Sequence, residues 1–213
     1  SLCHPLIPET EGENIINLTD GDGKRLIAMM IEKVSGRKAA GWVHYKWPRQ
    51  RDEKPTWKSS YCMRVKGASG KEYLVGSGLY DLKVERLFIV ETVDEAAELV
   101  RKKGRGAFAT LRDQASPFRY QDVYVFVHDK NGLELVNPVQ PQLEGTNLLD
   151  FKDASGKAVV RETIKMLETK EAGWIDYMWP KPGATKPSKK FSYVRKLNVG
   201  DRTLYVGAGV YLD

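Results

Sequence analysis

The sequence predicts an α+β protein built from two related modules, and three observations carry that prediction. A block of the 213-residue chain occurs twice. Each copy holds one stretch with apolar residues at helical spacing and three with the alternation of strands. Glycine, proline and asparagine punctuate the chain where the period changes. The repeat fixes the module count. "HPLIPETEGENI" from His4 returns as "NPVQPQLEGTNL" from Asn137, and "GWVHYKWP" from Gly41 as "GWIDYMWP" from Gly173. "SSYCMRV" from Ser59 returns as "FSYVRKL" from Phe191, and the glycines Gly76 and Gly78 as Gly207 and Gly209. The offset falls from 133 through 132 to 131 along the chain. The modules are assigned to residues 1–85 and 86–213.

The second copy is the longer one. A helix-like segment and a hairpin, from about Thr92 to Leu135, precede Asn137, and nothing corresponds to them before His4. The first module is expected to lack its opening helix and first strand. That leaves a sheet edge for a further part of the protein or a neighbouring chain to fill. A chain that starts at Ser1 inside a module is expected to continue upstream, where a signal peptide or membrane anchor would lie.

In the complete copy, Thr92 with Glu95 reads as a capping box. Val93, Ala96, Ala97 and Val100 share a helix face. The run before it, with Leu87, Ile89 and Val90, reads as a packed linker. Gly104 and Gly106 weaken the helix, and Ser116-Pro117 ends it. Tyr124–Val127 and Leu133–Val136 form a hairpin, turning at Asn131-Gly132 with both turn residues at positive φ. A second helix carries Val159, Val160, Thr163, Ile164 and Leu167 on one face, matched by Leu26, Ile27, Met30, Ile31 and Val34. Three strands follow. In the first, Ile175, Tyr177 and Trp179 face one way and Trp174, Asp176 and Met178 the other. The last two turn at Gly200-Asp201. About five antiparallel strands with helices on one side make a PAS-like module.

Composition narrows the function. Hydrophobic residues make up 41% and charged residues 29%, as in soluble globular domains. No apolar run approaches the roughly 20 residues of a membrane span. The net charge of +6 is spread among acids, as in "RQRDEK" from Arg49, so no nucleic-acid stripe is present. The positive balance favours anionic small ligands. Cys3 and Cys62 match Val136 and Val194 and give no metal or redox spacing; a disulfide between them stays open. The "DGDG" from Asp20 has Ile31 at its twelfth position, where a calcium loop needs an acid. No nucleophile stands in a motif with a base. No enzymatic activity, metal or cofactor is expected.

The repeated aromatics point to a binding site. Tyr45 matches Tyr177, Trp47 Trp179, Tyr61 Tyr193 and Tyr80 Tyr211, while Lys58 matches Lys190. Such rings also serve as core. Tyrosines differ, because a buried phenol needs a partner and several together line a polar pocket. A neighbouring lysine supplies the counter-charge for a carboxylate. Paired glycines bare a strand face, for a packed helix or for a ligand.

These pieces together, hairpin then N/H-P, G-x-N-[LI], G-W-x-x-Y-x-W-P, S-Y and V-G-x-G-x-Y, resemble the Cache family of extracytoplasmic sensors, most closely its single-Cache type 2 branch. The resemblance covers Thr92 to Asp213 and, truncated, Ser1 to about Asp81. It implies a PAS-like fold in the periplasm or outside the cell. It also implies recognition of a small carboxylate or amino acid for chemoreceptors, kinases or cyclic-dinucleotide enzymes. In the complete module Tyr177 and Trp179 are assigned as walls, Tyr193 as hydroxyl donor and Lys190 as carboxylate partner, with Asn137 and Tyr124 beside them. The matching set is Tyr45, Trp47, Tyr61, Lys58 and His4. A homodimer is compatible with the pattern. The competing reading is a ligand-free structural or interaction module.

Overall fold

The computed structural model describes residues 1–4, 7–36, 39–50 and 53–212. Pro5 of the first His-Pro, Arg51 and Asp52 of the charged run, and Asp213 lie outside them. The chain separates into two compact units, Ser1–Lys83 and Val84–Asp213, two residues ahead of the boundary expected from the repeat.

The first unit has one helix, α1 (Leu26–Ser35), and three strands, β1 (Ala40–Trp47), β2 (Thr56–Lys66) and β3 (Glu72–Tyr80). They form an antiparallel sheet in the order β1-β2-β3. The second unit opens with α2 (Arg86–Lys103) and α3 (Ala107–Arg112). Then come β4 (Val125–Asp129), β5 (Glu134–Val136), α4 (Val159–Glu168), β6 (Ala172–Pro180), β7 (Pro187–Val199) and β8 (Arg202–Tyr211). Its five strands are antiparallel in the order β5-β4-β8-β7-β6. About five strands make the complete module; the first unit, expected to lack its first strand, has three among the described residues, with no counterpart of β4 or β5. β3 therefore ends its sheet, with Val75 and Leu79 at least half exposed on one face. Among the described residues no helix is long and apolar enough to cross a membrane.

Three local expectations need correction. α2 begins at Arg86, so the apolar linker is its first two turns and Thr92 lies inside it. Phe88, Ile89, Thr92, Val93, Ala96, Ala97 and Val100 form one buried stripe, and that continuous burial outweighs a favourable cap at Thr92. Thr92 Oγ1 bonds the Tyr120 hydroxyl at 3.1 Å instead, and Leu87 faces solvent. In the β4–β5 turn only Gly132 has positive φ, at 83°. Asp129 Oδ1 ties this turn by accepting from the Asn131 and Leu133 amides. Finally, the helices cover both faces of the second sheet. β7 alternates Lys190, Ser192 and Val194 toward α4, and Phe191, Tyr193 and Arg195 toward α2. Arg195 Nε meets Asp94 of α2 at 2.8 Å, while Val194 joins the core with Val159 and Leu167 of α4.

The acidic loops before α1 and α4 are clasps. Asp153 Oδ1 accepts from the Ser155 and Lys157 amides at 2.9 Å, and Oδ2 from the Met178 amide of β6 at 2.7 Å. Asp20 does the same with Asp22, Lys24 and Lys46 of β1. Burial works to raise the Asp153 pKa, but these donors outweigh it and hold the carboxyl below its ordinary range. Asp153→Ala is expected to destabilise the second unit by about 1–3 kcal/mol, since it orphans buried amides. Equilibrium unfolding in urea checks this. The carboxylate's contribution is complete above the ordinary aspartate pKa and is lost as pH falls through the lowered one.

Candidate ligand site

A hollow opens between the α4 side of the second sheet and the loops beside it. Tyr124, Phe126, His128, Glu134, Asn137, Thr163, Tyr177 and Trp179 are on its wall, completed by aliphatic side chains and Phe151. About 490 Å³ is free of protein atoms up to the open mouth, of which about 40 Å³ admits the centre of a water molecule. Since one water needs roughly 10–15 Å³ by that measure, the hollow suits a ligand of a few heavy atoms.

The strands put these groups there by parity. On β6, Ile175, Tyr177 and Trp179 face inward, as their alternation predicts. Tyr177 and Trp179 meet edge to face at 5.9 Å, and Phe151 closes on Trp179 at 5.8 Å. The Tyr177 hydroxyl is taken: it shares a 3.0 Å hydrogen bond with Ser192 Oγ, and burial holds its pKa up. Asn137 is buried, with Oδ1 accepting from the Gln140 amide. The Tyr124 phenol, raised by burial, donates to Tyr211, whose own hydroxyl donates to the Pro180 carbonyl at 2.6 Å.

Lys190 is fully buried, and its ammonium has no hydrogen-bond partner among the described residues. Nζ lies 3.8 Å from the Tyr124 ring centre and 5.1 Å from that of Tyr211. Tyr124 thus stands between it and the hollow. Burial pushes the Lys190 pKa down to about 7, with Glu134 and Asp122 acting in the opposite direction. Cation–π contact lowers the cost of that burial without supplying a counter-ion.

Tyr193 is not in the hollow. It lies on the α2 face, 5.3 Å from Trp174, with its hydroxyl 3.4 Å from Arg195 Nη2. The reason is strand parity: three residues separate it from Lys190, so the two point to opposite faces. Tyr61 repeats the error in the first unit, where it packs on Trp42 and is 43% exposed. The rest of the first set is closer together. Tyr45 bonds Ser60 Oγ at 2.8 Å and meets Trp47 edge to face, and Lys58 Nζ sits 4.9 Å over Tyr80. Tyr80 donates to the Pro48 carbonyl, as Tyr211 does to Pro180. His4 Nδ1 accepts from the Ile7 amide, and burial followed by the Lys58 charge lowers its pKa. His44 is buried against Ser59 and held down to about 3, mainly by burial. Both cysteines are free, Cys3 exposed and Cys62 buried.

The paired glycines serve neither of the uses expected of them. A Cβ on Gly207 would lie 2.4 Å from the Phe126 ring, and one on Gly209 2.2 Å from Ser192 Oγ and 2.9 Å from Lys190 Cε. They make room for side chains of the neighbouring strands. Gly78 does so for Ser60 and Lys58. Sequence reasoning also missed His128 and Glu134 as wall residues. His128 and Glu134, polar residues next to apolar strand positions on either side of the turn in "VFVHDKNGLELV", were the available signal.

Comparison with known proteins agrees with this layout. Residues 105–213 match the family model described as Cache domain, and residues 1–88 match Single Cache domain 2. The methyl-accepting chemotaxis protein McpP of Pseudomonas putida is 31% identical over 146 residues, 63% of this chain and 26% of that protein. The sensor histidine kinase MctS of Rhizobium johnstonii is 37% identical over 93 residues, 44% of this chain and 20% of that protein. The chain thus spans about a quarter or less of either relative's length. A solved periplasmic sensor domain of a chemotaxis protein aligns with TM-score 0.53 at 30% identity, over 58% of this chain and 92% of that one. A Cache chemosensory domain solved for its carboxylic acid recognition gives TM-score 0.52 at 29% identity, over 59% and 91%. With family models matched across both units, the chain belongs to the Cache family of PAS-like sensor domains and carries two copies in tandem.

Proposed function

We propose that the second unit is an extracytoplasmic sensor for a small carboxylate, which enters the hollow and takes Lys190 as its counter-ion. The observation that carries this reading is the Lys190 ammonium, buried without a hydrogen-bond partner one aromatic ring behind the wall. A buried cation in that state is costly; Glu134 and Asp122 offset part of the cost by charge alone, and an incoming carboxylate supplies the direct partner it lacks. The Tyr124 ring must swing for the two to meet. That movement gives the ligand different affinities for two arrangements of the sheet, which is what a signal requires. Two similarities support the reading: one to a domain solved for carboxylic acid recognition, one to a periplasmic chemotaxis sensor. The signal would serve chemotaxis or a sensor kinase, as in the relatives. No catalytic role is assigned to the region.

Calorimetric titration of the whole chain at pH 7 with two- to four-carbon carboxylates tests the proposal. Saturable binding of at least one of them, with a thermal midpoint that rises with its concentration, is expected. Silence across the series would favour the structural-module reading instead.

A further inference from the structure

The hollow also contains an acid that a bare carboxylate cannot satisfy. Glu134 on β5 lies on its wall and is 1% exposed. Neither carboxylate oxygen has a hydrogen-bond donor among the described residues. His128 Nδ1 stands 2.6 Å from Oε2, at ion-pair distance, so Oε2 has one ionisable neighbour and Oε1 has none. A carboxylate so enclosed has lost its water and regains a partner on one oxygen only, and native folds rarely leave such groups unexplained. β5 positions it: Glu134 pairs with His128 across the hairpin, where the register shifts by a bulge, and bulges re-aim side chains.

A ligand carboxylate alone would place a second acceptor beside this first one, with like charges in an enclosed space. A donor on the ligand's neighbouring carbon reverses that interaction. We infer that Glu134, oriented by His128, is a specificity subsite, and that the ligand is a short carboxylate bearing a hydroxyl or ammonium group next to it. The inference rests on the carboxylate reading above. It divides the hollow by charge. The ligand's acid faces Lys190 and Tyr124, and its donor faces Glu134 and His128. Tyr177 and Asn137 contribute shape, since Ser192 and Gln140 already engage their polar atoms.

Titration of the whole chain at pH 7 with propionate, lactate and alanine isolates the effect, because the three share a carbon skeleton. Lactate or alanine is expected to bind at least about tenfold more tightly than propionate, since a site built around a donor rejects the analogue without it. Which of the two wins tells hydroxyl from ammonium. Glu134→Leu is expected to bring the preferred ligand and propionate within about twofold. Glu134→Gln, which keeps an acceptor oxygen and the shape, is expected to retain a preference for lactate and weaken alanine. Propionate binding as well as both others in the unmodified chain would overturn the subsite and leave the carboxylate reading intact. Failure of all three to bind would overturn that reading, and the subsite with it.

Discussion

Lys190→Met is expected to make the chain more stable while weakening its carboxylate binding at least tenfold. Burial holds the Lys190 ammonium down to about 7 in the fold, against 10.5 for an ordinary lysine. Between those values the unfolded chain binds the extra proton and the folded chain does not, so stability rises with pH. At and below pH 7 the folded chain carries the whole cost of the buried charge. Methionine fills the same slot without it. The gain should therefore be a few kcal/mol in order of magnitude at pH 7 and below. It should shrink from pH 7 to 10.5 and vanish above that. In thermal scans at pH 7 this corresponds to a midpoint roughly 5 °C or more higher. Binding should fall at least tenfold, because the counter-ion is gone. A stability gain joined to a functional loss is what a strained binding residue produces. A lower midpoint at pH 7 would mean that the ammonium is well satisfied in the fold, contrary to the geometry described.

Gly209→Ala should have a comparably large effect by a different route. Its Cβ would stand 2.2 Å from Ser192 Oγ, 2.8 Å from the Phe191 carbonyl oxygen and 2.9 Å from Lys190 Cε. The serine can rotate only by giving up Tyr177, and the carbonyl belongs to a paired strand that cannot retreat without opening the ladder. A cost of about 3 kcal/mol or more is expected from this overpacking, along with weaker ligand binding as Tyr177 and Lys190 are displaced. Gly78→Ala meets the same three obstacles in the first unit, at 2.3, 3.0 and 2.9 Å. Gly21→Ala is the control, since among the described residues nothing lies within 4 Å of its added carbon. Its effect should stay within about 0.5 kcal/mol. Urea titrations of the three variants decide the matter, and equal losses at all three positions would contradict the close-packing argument.

The repeat and the periodicities made most of the fold legible. The apolar faces of α1 and α4 and the alternation of β6 could be read directly, which is why Tyr177 and Trp179 reach the hollow. Three features were harder. The start of α2 was obscured because Thr92 and Glu95 imitate a cap, whereas burial of Phe88 and Ile89 extends the helix upstream. The role of Gly207 and Gly209 depends on Phe126, Ser192 and Lys190 across the ladder, a relation that needs strand register. Glu134 is remote from the repeated aromatics, and it reaches the hollow only because β5 pairs with β4 at the sheet edge. The position of Tyr193 is legible from strand parity alone. Counting by twos from Lys190 along β7 puts it on the other face.

The most direct test is the titration of the Lys190 ammonium, followed by nitrogen NMR in the whole chain, with and without saturating lactate. A carboxylate seated against Nζ must favour its charged form. A midpoint near 7 without ligand and a rise of more than one pH unit with it are expected, with correspondingly weaker binding as the pH climbs above 7. Lactate that binds while the Lys190 midpoint stays where it was would contradict the claim that this lysine is the counter-ion.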